Sequence, residues 1–87
     1  MRMVITSKVN DVHTWLSFRE ERLLTISKFA TNIWEYVDSG GSNITAITFD
    51  VIDEKAMYKA LDDDIVRSEM LRHGVQPETI LSFKQKV

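Results

Sequence analysis

The stretch that decides the fold is Ser42-Asn43-Ile44-Thr45-Ala46-Ile47-Thr48-Phe49-Asp50-Val51-Ile52-Asp53. Seven of its residues, Ile44, Thr45, Ile47, Thr48, Phe49, Val51 and Ile52, are β-branched or aromatic. These are the types that fit a pleated, packed surface. One face of the predicted strand carries Thr45, Ile47, Phe49 and Val51. The other carries Ile44, Ala46, Thr48, Asp50 and Ile52, apolar at its ends and polar in its middle. A sheet with one wet face alternates more sharply than this. Something is therefore expected to cover part of the second face.

The neighbours of this strand read as its partners. Before it, Asp38-Ser39-Gly40-Gly41-Ser42-Asn43 is a dense turn signal. Before that, Thr31–Val37 reads as another strand, with Ile33, Glu35 and Val37 on one face and Asn32, Trp34 and Tyr36 on the other. Two such runs around a short glycine-rich loop predict a hairpin. After the central strand, Asp53 is placed to cap a helix over Glu54–Leu61. The Asp62-Asp63-Asp64 run predicts a break, followed by a second helix over Asp64–His73. Met57, Ala60, Leu61, Ile65, Ser68 and Leu71 form the expected apolar stripe across both pieces. Gly74 is expected to close the helix and Pro77 to bar its continuation, leaving Glu78–Val87 as the last strand.

At the other end, Met1–Val9 alternates as a first strand. Asn10 or Asp11 then caps a helix that starts at Val12 and ends between Leu24 and Lys28. Its expected inner stripe is Val12, Trp15, Leu16, Arg19 and Leu23, with Glu20, Glu21 and Arg22 off it. The order β-α-β-β-α-β is the split βαβ, ferredoxin-like motif. The fold class is α+β: a four-stranded antiparallel sheet with its helices on one face, formed by one domain over residues 1–87. The other face, bearing Trp34 and Tyr36, would be exposed, and such a patch marks an interface or ligand site. The simplest cover is a second copy of the chain, packed sheet to sheet.

Composition narrows the function. The chain has 87 residues, a net charge of −2 and no cysteine. Disulfides, thiolate catalysis and cysteine-ligated metals are excluded. Lysines and arginines are scattered, so no basic footprint for nucleic acid or anionic membrane is present. No apolar run reaches the roughly 18 residues of a membrane span, and the N-terminus is too short and polar for a secretory signal. A cytoplasmic location is the expectation. The βαββαβ order is shared with RNA-recognition modules, but those carry stacking aromatics in a basic setting, and the third strand here offers Phe49 alone.

The chain resembles the dimeric α+β-barrel superfamily, in particular small stress-responsive barrel proteins and antibiotic-biosynthesis-monooxygenase-like proteins. The resemblance rests on Val9-Asn10-Asp11 closing the first strand and Trp15 in the opening helix. It rests also on Ile47–Asp53 running directly into Glu54-Lys55-Ala56, and on the ending Met70-Leu71-Arg72-His73-Gly74-Val75. It implies a homodimer whose two sheets close into a barrel. It also implies one of several roles: cofactor-independent monooxygenase, haem-degrading enzyme, polyketide cyclase, isomerase, or a non-catalytic ligand-binding, regulatory or stress-associated protein. Monooxygenase-like relatives use Asn, Trp and Tyr on a phenolic substrate. Asn32, Trp34 and Tyr36 supply the types but sit together on one strand, so the roles do not transfer. Haem-degrading relatives use a Trp on the third strand, which is absent here.

Candidate chemistry falls on few residues. His73, before Gly74, has the residue type of a general base near neutral pH. A histidine at a helix C-terminus also satisfies the helix dipole with no further role. His13, in the first helical turn, is the second candidate acid–base group. Trp15 and Phe49 are expected to line a pocket between helices and sheet for a hydrophobic small molecule. Trp34 and Tyr36 are pocket or interface residues, and filling a dimer core is the simpler role for them. Asp50 is expected at a pocket or paired across strands with Lys8 or Lys84. No metal site and no cofactor are expected: no His-x-x-x-His or Glu-x-x-His pair occurs, and the aspartate triplet lacks the spacing of a calcium loop.

Overall fold

The computed structural model describes residues 1–87. Its elements are β1 (Arg2–Val9), α1 (Val12–Ser17), α2 (Arg19–Ile26), β2 (Ala30–Val37), β3 (Ile44–Val51), α3 (Glu54–Leu61), α4 (Asp64–Arg72) and β4 (Val75–Lys84). The sheet order is β2-β3-β1-β4, and every pairing is antiparallel. This is the expected ferredoxin-like α+β fold, with β3 and β1 central. No helix is long and apolar enough to cross a membrane.

The caps form as their chemistry dictates. Asp11 accepts from the Thr14 amide, Asp53 from the Ala56 amide and Asp63 from the Ile65 amide. Each satisfies a helix-start donor that has no partner within the helix. Gly74 closes α4 at φ +86°, the left-handed geometry that glycine adopts without a Cβ penalty. In the β2–β3 hairpin, the Asp38 carboxylate accepts from the amides of Gly40 and Ser42.

Helices cover one sheet face. Beneath them, Met3, Ile26, Phe29, Ala30, Phe49 and Met57 form the larger core, and Val9, Trp15 and Val75 a smaller one. The opposite face keeps Trp34, Tyr36, Ile44, Leu81 and Phe83 each more than half exposed.

Four expectations need correction. The first helix is two helices, interrupted at Phe18, which leaves helical geometry at φ −96° and ψ 13°. Its inner stripe is Trp15, Arg22 and Ile26, while Leu16 and Arg19 face solvent. Those three positions share one helical phase, and Arg22 holds its place because an acid on the sheet faces it. The stripe expected across α3 and α4 holds in α3, where Met57 is buried and Ala60 packs on the core, but fails in α4: Ile65 and Leu71 are 78% and 58% exposed. The turn at Asp62–Asp63 re-phases the chain, so α4 turns Val66, Glu69, Met70 and His73 inward.

The last strand begins at Val75 and contains Pro77. A proline is tolerated there because β4 is an edge strand and bulges. Its register slips between Thr6↔Leu81 and Lys8↔Gln76. The Thr79 hydroxyl bridges the gap, accepting from the Lys8 amide and donating to the Gln76 carbonyl. A second bulge lies in β2, where Asn32 takes φ 53°.

Candidate functional site

Between the helices and the inner face of the sheet lies a cavity of about 100 Å³. Phe49, Ile5 and Ile47 form its floor, Trp15 and Ile26 one wall, and Met70 and Val66 another. Its polar groups are Arg22, Thr25, Glu69 and His73, together with Ser7 from β1. The first four come from α2, α4 and the end of α4, and the two chain breaks bring them together. The interruption at Phe18 swings α2 so that the Phe18 ring stacks on the His73 ring, centroids 4.6 Å apart and planes within 10°. The Asp62–Asp63 turn gives α4 the phase that directs Glu69 and His73 inward.

Arg22 is the hub. Its Nε donates to Glu35 Oε2 at 2.5 Å and its Nη2 to Glu35 Oε1 at 2.9 Å, a two-point ion pair. Nη2 also donates to the Trp15 carbonyl, and the guanidinium lies 3.9 Å from the Trp15 ring centroid. The side chains of Arg22 and Glu35 are only 7% and 3% exposed. Nη1 reaches Nδ1 of His73 at 3.2 Å. A guanidinium only donates, so Nδ1 is the acceptor.

His73 is 1% exposed. It sits in the C-cap of α4, but packed inside rather than solvated at the helix end. Burial, and then the Arg22 charge, hold its pKa below the ordinary histidine value, against a weaker opposing pull from Glu21 and Glu69. Its Nε2 is the one buried side-chain nitrogen or oxygen without a hydrogen-bond partner, 3.5 Å from Glu21 Oε1. Glu21 is itself paired with Arg72, which lowers its pKa to about 2, hydrogen bonding being the main cause. Glu69 accepts from the Thr25 hydroxyl at both oxygens, at 2.8 and 2.9 Å.

Glu21, Glu69 and His73 place a ligating atom each within 4.8 Å of one another, close enough to share a cation. The chemistry of the donor set does not fit one. With Nδ1 accepting from Arg22, neutral His73 carries its proton on Nε2, and a protonated nitrogen has no lone pair for a metal. Glu21 is already neutralised by Arg72.

Of the residues singled out from sequence, His73, Trp15 and Phe49 meet at the cavity. His13 does not join them; it is exposed on the first turn of α1. Trp34, Tyr36 and Asp50 belong to the opposite face. Asp50 pairs across strands, as expected, but with Arg2 at 3.1 Å rather than with Lys8 or Lys84. It also accepts from Asn32 Nδ2 at 3.1 Å, and these two contacts, Asn32 foremost, lower its pKa. Asn32 in turn accepts from the Trp34 indole at 2.8 Å.

Arg22, Glu35, Thr25, Glu21 and Glu69 were not anticipated. One signal was present: Glu69 and His73 stand four apart, as do Glu21 and Thr25, and so share helix faces.

No protein family and no curated protein matches the chain by sequence. Solved structures match its fold. SnoaB, a cofactor-independent oxygenase from Streptomyces nogalater, superposes with a TM-score of 0.68 at 11% identity, covering 99% of this chain and 92% of its own. An antibiotic biosynthesis monooxygenase gives a TM-score of 0.58 at 9% identity, with both chains covered completely. A conserved protein from Methanosarcina mazei gives 0.58 at 16% identity, covering 98% and 91%. The chain thus shares the ferredoxin-like α+β fold of these proteins, and at such identities the likeness is one of fold.

Proposed function

We propose that this protein binds a small, largely apolar organic molecule between its helices and sheet, and that it performs acid–base chemistry there without a cofactor. One observation carries the reading: a buried histidine and a carboxylate stand together at the polar end of an otherwise apolar cavity. That combination is the ordinary mark of a ligand site. Glu69 is the proton acceptor in this scheme. Its carboxylate lines the cavity, is held by Thr25, and keeps lone pairs free.

Size limits the substrate. A dry cavity of roughly 150 Å³ holds one benzene ring, whereas sites for drug-sized ligands run to roughly 300 Å³ and above. A cavity of about 100 Å³ is smaller than either and suits a five-membered ring or a short branched chain. Oxygenation without a cofactor, the activity named for SnoaB, is the specific form that the shared fold supports. Removal of a proton from an acidic carbon is the step that Glu69 would supply to it.

The protein acts as a homodimer in this reading. Trp34, Tyr36, Ile44, Leu81 and Phe83 form an exposed apolar sheet face. Packing that face on a second copy removes it from water, and apolar patches of this kind are uncommon on monomers.

The test is exchange in D2O. Cyclopentanone carries acidic carbons beside its carbonyl and is sized for the cavity. Wild type is expected to bind it and to speed deuterium uptake at those carbons, while Glu69→Gln binds it without the acceleration. Binding without exchange in the wild type would make the protein a non-catalytic binder and overturn the enzymatic reading.

A further inference from the structure

Among the polar side chains that line the cavity, one buried nitrogen has no hydrogen-bond partner at all. Arg22 spends its nitrogens on Glu35, the Trp15 carbonyl and His73. The Thr25 hydroxyl donates to Glu69, and Ser7 is bonded to Thr45. What remains is Nε2 of His73. Glu21 Oε1 is 3.5 Å away and is itself held by Arg72. At that separation Glu21 is a poor acceptor, and a buried donor left unpaired is costly, so this position favours a molecule that brings an acceptor to it.

The tautomer makes the donor permanent. A neutral imidazole carries one proton, and the guanidinium of Arg22 faces the other nitrogen. Because arginine stays charged and cannot accept, Nδ1 is obliged to accept and Nε2 to hold the proton. Arg22 is itself fixed by the two-point bond to Glu35 and by the Trp15 ring and carbonyl. A second proton on Nδ1 would meet that guanidinium head-on.

We propose that Arg22 is a positioning residue that holds His73 as an Nε2–H hydrogen-bond donor, and that the cavity therefore selects small apolar molecules bearing one acceptor oxygen, such as a carbonyl, over hydrocarbons of the same shape. His73 in this assignment is not the proton-abstracting group. It holds the oxygen toward which charge moves when a neighbouring carbon loses its proton, and the basic role stays with Glu69. This inference rests on the cavity reading given under Proposed function and narrows its ligand class.

Two measurements test it. The chain has only two histidines, so long-range proton–nitrogen NMR of the imidazoles resolves His73 against exposed His13. Wild type should show His73 in the Nε2–H tautomer at neutral pH. In Arg22→Met/Glu35→Met, which removes both charges of the buried pair together, His73 should show a mixture of tautomers. A wild-type His73 protonated on Nδ1, or a tautomer unchanged in the double variant, overturns the role of Arg22. The second measurement compares cyclopentanone with cyclopentane. The ketone should bind at least tenfold more tightly and shift the Nε2 resonance of His73. Equal binding of the two overturns the selectivity, with Glu21 holding the proton instead, yet leaves the cavity reading standing. Binding of neither overturns both.

Discussion

Glu35 is the residue whose removal tests the architecture of the site most directly. Its side chain is 3% exposed, and it receives two hydrogen bonds from an arginine that is 7% exposed. Glu35→Met keeps the length of the side chain and deletes its charge. Arg22 is then a buried cation left with the Trp15 ring and carbonyl and one imidazole nitrogen. Removing one partner of a buried pair costs about 3–5 kcal/mol. The total stability expected for a chain of this length is roughly 4–13 kcal/mol. At about 4–8 °C per kcal/mol for a domain of this size, the midpoint of thermal unfolding should fall by roughly 12–40 °C. Arg22→Met/Glu35→Met removes both charges, and apolar replacement of a buried pair is often close to neutral. The double variant should therefore recover most of the loss, so that the two single losses together far exceed that of the double. Urea unfolding followed by tryptophan fluorescence, at one protein concentration because assembly adds to apparent stability, measures all four corners of the cycle. Two results would refute the reasoning: a single Glu35→Met that costs under about 1 kcal/mol, or single-variant losses that simply add in the double.

Further outcomes follow from the same geometry. Trp34→Asp places a charge in the exposed apolar sheet face, where Trp34 is 56% exposed; light scattering should show a dimer in the wild type and a monomer in the variant. Wild-type stability should fall as pH drops below about 6.5, the ordinary histidine value. Unfolded His73 takes up a proton there while the folded residue, with its lowered pKa, resists, so stability rises with pH across that window. Urea midpoints between pH 7 and 5 should show this slope in wild type and a smaller one in His73→Gln. A second acid-sensitive window belongs to Glu21, whose contribution is complete above its ordinary value of 4.5 and lost as pH falls toward 2; in Arg72→Ala the urea midpoint should lose that dependence. Gly74→Ala should cost about 1–2 kcal/mol from the left-handed backbone alone, because a Cβ there would meet Asn10 at an ordinary 3.7 Å.

The fold was legible because its signals are local. Asp53 and Asp63 cap as aspartates do, Gly74 ends its helix in the geometry glycine favours, and Gly41 turns its hairpin at φ +84°. The chain order then leaves few topologies. What escaped the sequence was phase across interruptions and charge in apolar slots. Nothing local in Thr14–Glu20 announces the break at Phe18, whose ring stacks on His73, 55 positions away. Pro77 reads as a stop signal until β4 is known to be an edge strand with a bulge. The site lies where hydrophobic periodicity assigns a residue wrongly. Arg22 keeps the phase of Trp15 and Ile26, and Glu35 keeps the inner-face register of Ile33, so each occupies a core position while being charged. Neither is stable there alone; together they are. Glu69 and His73 break the inner stripe of α4 in the same way, one turn apart. A charged residue that holds core phase in one element demands an opposite charge that holds core phase in another. Arg22 and Glu35 meet that demand in this chain, and the histidine that Arg22 reaches is then the group to examine.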